Sequence, residues 1–332
     1  MSDDTLVETA GARVAPPTMS RSPMVVNWLK GQYAFFILIG LVIIATFSSD
    51  AFLTQRNLTN LALQLSVTGI VVLAELLVVI SGGIDISVGS IVGLGAVLSA
   101  GVFSGGNLLV GLLLGVAVGA GLGAVNGAFV AFRGINPFIV TLGMLALARG
   151  LVYAYTEGSP LSPQSGSFIS FGSATFAGVP VLTICWLVAV VVIAFILYRT
   201  VYGRRIYAVG SNPRAAYSSG VSVRSTLFTV YVLAGALAGL AGVLLTARIG
   251  AGTPTAGTNY ELDAIAAVVI GGASLAGGYG KVFGALVGTV IFGVITNLLV
   301  LLNVSTFYQD AFKGALILLA VLLATVGRKQ QP

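Results

Sequence analysis

The chain has 332 residues, with 16 Lys and Arg against 10 Asp and Glu, for a net charge of +6. Only 8% of its residues are charged and 57% are hydrophobic, whereas soluble domains carry roughly 25% charged residues. So few charges cannot cover that much apolar surface in water, which excludes a soluble globular fold.

The chain contains no histidine, which removes imidazole zinc sites, Ser-His dyads and histidine proton relays. No metal site is read. The single cysteine, Cys185, sits in an apolar run; no intrachain disulfide can form, and the redox compartment is unreadable. Basic residues are spread over the loops between apolar runs, a membrane-topology pattern that argues against a nucleic-acid partner. Gly280-Lys281 resembles the end of a phosphate loop, but Leu275 replaces its first glycine and Val282 its Ser/Thr. If ATP is used, another chain must hydrolyse it; no cofactor is expected on this one.

In chain order, residues 1–30 are polar, with Ser, Pro and both charge signs, and read as a flexible cytoplasmic tail. No small-residue cleavage site follows the first apolar run, so it is read as a retained helix. A bilayer crossing takes about 20 apolar residues. The expected spans are 31–47, 58–80, 88–103, 108–132, 138–156, 181–198, 225–247, 262–271, 282–302 and 310–327. The eighth is short enough for a half-helix. The predicted fold is an all-α polytopic membrane helix bundle of about ten transmembrane helices. It fills one transmembrane domain, 31–327, followed by a short cytoplasmic tail, 328–332.

With the N-terminus inside, Arg56 and Arg248 fall outside, Arg149 and Lys313 fall within spans, and every other Lys and Arg is inner. That positive-inside bias places both termini in the cytoplasm. Arg149 and Lys313 either pair with acids or snorkel.

The second span carries Gln64, Thr68 and Glu75 at offsets that return to nearly one helical angle. The stripe either lines a pathway or buries a structural hydrogen bond. An intramembrane acid costs about 2.5–3.5 kcal/mol on insertion scales, so it faces a cavity or a partner. Asp85 follows Gly82-Gly83 and precedes Ser87, a position that favours a structural cap on the third span over a pathway role. The fourth span repeats glycine every four residues, from Gly111 through Gly115, Gly119 and Gly123 to Gly127, and Gly235 and Gly239 repeat the spacing in the seventh. Such stripes let helix backbones pack closely.

The outer segment 157–180 is rich in Gly, Ser and Pro and longer than a connector needs, which suits docking of a partner. The inner loop 199–224 holds five arginines and no acid. Within it Asn212 suits an N-cap, Pro213 a first helical position and Gly220 the left-handed residue beyond the end. A lipid-binding patch needs no such fixed helix, so the loop reads as a partner-docking element. Glu261 and Asp263 suit the N-terminus of the eighth span whether or not a partner meets them. Asn297 serves either a pathway or helix contact. The glycine-rich breaks at 81–83 and 271–272 look alike, through an internal repeat or through composition alone.

Several segments resemble the ribose-type ABC importer permeases. The most distinctive is Ser81-Gly82-Gly83-Ile84-Asp85-Ile86-Ser87-Val88-Gly89-Ser90; the others are 136–143, 254–269 and 271–278. Residues 203–216, ending at Gly220, resemble that family's cytoplasmic coupling loop, which assigns coupling to Gly203, Arg204, Arg205, Gly210, Asn212, Pro213, Arg214, Ala215, Ala216 and Gly220. The likeness runs from about residue 52 to residue 323. Glu75 departs from it, standing where the family shows small or apolar residues; Leu298 and Leu299 depart where it continues with glycine and asparagine.

The resemblance implies a multi-pass bacterial plasma-membrane protein, placed in the inner membrane where there are two. It also implies a homodimer that meets a cytoplasmic ATPase subunit, an extracytoplasmic sugar-binding protein and membrane lipid. Such an assembly imports a monosaccharide or related polyol by ATP-driven alternating access, and this subunit is not an enzyme. The competing reading is a proton-coupled secondary transporter using Glu75 or Asp85, since such proteins also break helices at glycines. The capped basic loop is not needed there.

Overall fold

Helices begin where side chains can accept the orphan amides of a first turn. In the computed structural model, which describes residues 33–101, 107–163 and 166–326, Thr54 accepts from Asn57 N to open one helix, and Asn107 and Asn136 open two more, the latter with proline next in line. The two segments read as tails, 1–30 and 328–332, lie outside the described residues.

The first elements in chain order are α1 (Tyr33–Ser48), α2 (Gln55–Ile80), α3 (Val88–Ala100), α4 (Leu108–Arg133), α5 (Pro137–Thr156), α6 (Ser167–Ser173), β1 (Thr175–Phe176) and β2 (Val179–Pro180). Then come α7 (Val181–Arg199), α8 (Val201–Ser211), α9 (Pro213–Ser218), α10 (Val223–Ile249), α11 (Tyr260–Ile270), α12 (Val282–Leu301) and α13 (Thr306–Val326). A helix thus stands at each segment read as a span. Among the described residues, α2, α4, α5, α7, α10 and α12 are long and apolar enough to cross a bilayer, and α1 and α3 are shorter apolar helices.

The structure fills in one loop and corrects the expectation for another. The outer segment 157–180 is not a bare connector: it folds into α6 and a small antiparallel hairpin, β1 with β2. Leu161 and Gly252 exchange backbone hydrogen bonds of 2.9 and 2.8 Å, tying that segment to the 250–259 loop. The inner loop holds two helices and not one, because α8 precedes the expected capped turn.

Helix α10 is the centre of the bundle and packs on α2, α3 and α4. The glycine stripe of α4 explains how. A Cβ on Gly119 or Gly123 would collide with the carbonyls of Gly235 or Tyr231, and one on Gly127 would lie 2.9 Å from the Phe228 carbonyl. Gly95 of α3 joins the seam, its hypothetical Cβ 2.8 Å from the Gly239 carbonyl. Backbones touch along most of the helix, as the spacing predicts.

Two helices are only half-length. At 1.5 Å per residue, α3 and α11 rise about 20 and 16 Å, short of the ~30 Å hydrocarbon layer. Segment 252–257 runs antiparallel along α3, from Val97 and Ala100 down to Gly93 and Gly89. Helix α11 therefore starts beside the first turn of α3, inside the bundle. The preceding helix runs end in one motif: Gly83 N and Gly82 N donate to the Val78 and Val79 carbonyls, and Ala273 N and Gly272 N donate to those of Val268 and Val269. Gly82 and Gly272 supply the required left-handed turn at φ +89° and +86°.

Candidate functional site

Three groups of residues were singled out by sequence, and the fold brings them to three different places.

The first is the α8–α9 unit. Thr200 Oγ1 accepts from Gly203 N at 3.1 Å to open α8, whose buried stripe is Gly203, Ile206, Val209 and Gly210. Arg204 and Arg205 are exposed on its other side. Asn212 Oδ1 then accepts from Ala215 N at 3.0 Å, Pro213 occupies the first turn, and Gly220 sits past the end at φ +79°. That is the punctuation expected. Arg214, Ala215, Tyr217 and Ser218 face outward, and Tyr217 is 75% exposed. Arg214, Tyr217 and Ser218 border, with Pro213, a groove of about 640 Å³ that also involves Ala131, Ser222, Val223 and Arg224. An exposed aromatic among arginines is the composition of a protein interface.

Within the coupling set, three residues are buried inside this chain. Ala216 is buried at 5% exposure, and Gly203 and Gly210 are buried under neighbouring backbone. They shape the unit, while Arg204, Arg205, Asn212, Pro213, Arg214, Ala215 and Gly220 form its surface. Burial raises the phenol of Tyr202 to about 12 and pushes that of Tyr207 further up.

The second place is a narrow cleft between α2, α11 and α12. Gln64 and Thr68 line it with Asp263, Thr289 and Thr296, and its interior is about 20 Å³. One water fits such a space; a sugar does not. Lys313 Nζ lies 3.1 Å from Asp263 Oδ2, so this intramembrane lysine pairs with an acid. Asn297 exchanges two side-chain hydrogen bonds, of 3.0 and 2.8 Å, with Asn57. Asn57 was not singled out by sequence. Arg149 donates to the Pro254 and Ala256 carbonyls at 3.2 and 2.8 Å, holding the loop before α11.

Glu75 does not reach this cleft, although it shares a helical angle with Gln64 and Thr68. The C-terminal half of α2 is enclosed on every side, from Ser66 almost without interruption to Ile80. Glu75 belongs instead to a third place with Asp85, both fully buried. Asp85 N donates to Glu75 Oε1 at 3.3 Å. Asp85 Oδ1 accepts from both the backbone and the hydroxyl of Ser87, and Asn126 Nδ2 donates to Ser87 Oγ at 2.9 Å. Thr141 Oγ1 accepts from Ile86 N at 3.3 Å. Asp85 thus closes a turn ahead of α3, whose N-cap is Ser87. These bonds satisfy polar groups of a non-helical stretch in which Asp85 and Ser87 are buried. Among the described residues, Glu75 Oε2, Asp85 Oδ2, Asn126 Oδ1 and Tyr231 Oη have no hydrogen-bond partner. Asn126 and Thr141 were missed because a lone amide or hydroxyl in an apolar run carries no periodic signal.

Among the described residues, no cluster of three or more acidic, histidine or cysteine side chains could hold a metal ion.

Comparison with known proteins gives a consistent outcome. Residues 57–321 match the family described as branched-chain amino acid transport system / permease component. The ribose import permease of Bacillus subtilis is 44% identical, covering 85% of this chain and 89% of its own length. The D-allose transport system permease of Escherichia coli is 38% identical, covering 89% and 91%. The L-arabinose ABC transporter permease of Azospirillum brasilense is 37% identical, covering 92% and 91%. No solved structure matches.

Proposed function

The chain belongs to the sugar ABC importer permeases of the bacterial plasma membrane, multi-pass transport components and not enzymes; on that premise we propose that it is the membrane subunit of an ATP-driven, binding-protein-dependent importer of a monosaccharide or related polyol. The observation that carries this is the α8–α9 unit, a short helix capped at both ends, presenting Tyr217 and arginines beside a groove. A cytoplasmic ATPase docks there and hydrolyses ATP. An extracytoplasmic sugar-binding protein delivers to the opposite side, where α6 and the β1–β2 hairpin stand. The chain crosses the membrane about ten times, counting the half-helices, with both termini cytoplasmic and the outward apolar faces in lipid.

A second copy completes the pathway in this reading. The Gln64–Thr68 cleft is too small for a sugar, so α2 and α12 must separate from neighbours by alternating access. Proton coupling through Glu75 or Asp85 is disfavoured, because a coupling carboxylate needs access to both sides in turn and both are sealed.

The test is reconstitution in liposomes with labelled ribose, allose and arabinose. Uptake is expected only when the ATPase, ATP and the loaded binding protein are all supplied. Concentrative uptake by the purified chain alone, under a pH gradient without ATP, would overturn the proposal in favour of a secondary transporter.

A further inference from the structure

Helix α8 lies between the docking face of α9 and the ends of three long helices. Asn212 is shared by α8 and α9: its amide donates to the Ala208 carbonyl at 3.1 Å, while its side chain caps α9. No residue of slack separates the two helices. A displacement of α9 therefore moves the end of α8.

That end touches backbone. A Cβ on Gly210 would collide with the Ile80 carbonyl and lie 2.7 Å from Gly278 N. Gly278 N in turn donates to the Ile80 carbonyl at 2.9 Å. A Cβ on Gly277 would lie 2.6 Å from the Gly210 carbonyl and 2.8 Å from Gly82 Cα. Three chain segments thus meet with no side chain between them: the close of α2, the close of α8, and the loop between α11 and α12. Side-chain contacts can absorb a shift by changing rotamer; packed backbone cannot, and passes it on.

Phenols extend the same connection. Tyr207 Oη of α8 donates to the Gly280 carbonyl at 2.7 Å. Tyr198 Oη, on the last turn of α7, accepts from Val282 N, the first residue of α12, at 2.8 Å. Tyr202 Oη donates to the Thr226 carbonyl in the first turn of α10 at 3.2 Å.

We propose that α8 is the transmission element of this transporter: Tyr207 and the Gly210–Ile80–Gly278 backbone junction position the inner ends of α2 and α12 according to the state of α9. Tyr207 and Tyr198 are positioning residues; they touch neither sugar nor ATP. The proposal rests on α9 being the ATPase-docking helix, and its test separates the two ideas.

The complete complex, with ATPase and binding protein taken from the neighbouring reading frames, is assembled in proteoliposomes. Three quantities are read: copurification of the ATPase, ATP hydrolysis, and labelled sugar moved per ATP hydrolysed, using ribose, allose and arabinose. Tyr207→Phe removes one hydroxyl and keeps the ring. It is expected to leave copurification intact while sugar moved per ATP falls about fivefold, the scale of one lost hydrogen bond. Tyr198→Phe, acting on the same loop from α7, is expected to do the same and serves as a second variant. Ala215→Glu, on the exposed face of α9, is expected to abolish copurification. Unchanged sugar per ATP in both tyrosine variants overturns the transmission role. Loss of copurification in Tyr207→Phe also overturns it, by making Tyr207 itself part of the docking surface. Full copurification and uptake in Ala215→Glu would sink the docking reading instead, whatever the tyrosines do.

Discussion

The two glycine-rich breaks end their helices with the same cap, yet the chain takes a different course beyond each. After Gly82 it enters the interior, and segment 83–87 is held by side chains from α2, α4 and α5: Glu75, Asn126 and Thr141. After Gly272 it stays near the surface, with Tyr279 exposed, and is held by short backbone turns, the Ile80 carbonyl and the Tyr207 phenol. A break sealed from water needs a dedicated partner for each polar group. One at the surface can exchange partners with water and so can move. The first break reads as an anchor and the second as a joint.

The largest expected effect breaks the anchor. Asp85→Ala strips the acceptor from both donors of Ser87 and leaves them buried, a cost of about 3 kcal/mol. Asp85→Asn keeps the Oδ1 acceptor and is expected to cost less than about 1 kcal/mol. Thermal unfolding of the detergent-purified chain compares them. Equal losses would mean that the Asp85 charge, and not its acceptor geometry, holds the segment.

A smaller effect sharpens the shared part. Gly82→Ala and Gly272→Ala each force an alanine into left-handed backbone, which costs roughly 1–2 kcal/mol. Because the caps are the same, the two losses of stability are expected to match within error. If one alanine is tolerated freely, that break relaxes, and the equivalence of the two caps fails.

The contrast between the breaks also marks how much could be read in the residues. Long apolar runs announced the helices, because length and hydropathy are local properties. The caps of α9 were legible for the same reason: Asn212, Pro213 and Gly220 act within a few residues of their own positions. Helix α8 was not, since Gly203 and Gly210 look like loop residues until the backbones they admit are known. The orientation of Ala216 was hidden, because a six-residue helix carries too little periodicity to show which side is covered. Glu75 shows a different limit. Helical angle groups it with Gln64 and Thr68, but angle says nothing of depth, and about two turns further along α2 the same face meets Asp85 and not the cleft.

The smallest expected effect concerns that residue and tests whether the anchor needs its charge. Two buried carboxylates sit together without a hydrogen-bonded cation among the described residues, an arrangement that costs stability where a neutral pair of the same shape does not. Glu75→Gln retains an acceptor for Asp85 N and adds an amide that can donate to the unpartnered oxygen of its neighbour, Asp85 Oδ2. The unfolding midpoint is therefore expected to stay level or rise by a few degrees. ATP-driven uptake by the assembled complex is expected to change less than about twofold and to remain indifferent to an imposed pH gradient, as suits a side chain in an anchor. Uptake abolished in a stably folded Glu75→Gln chain, with downhill exchange preserved, would instead place this carboxylate in energy coupling and undo the distinction between a fixed first break and a moving second one.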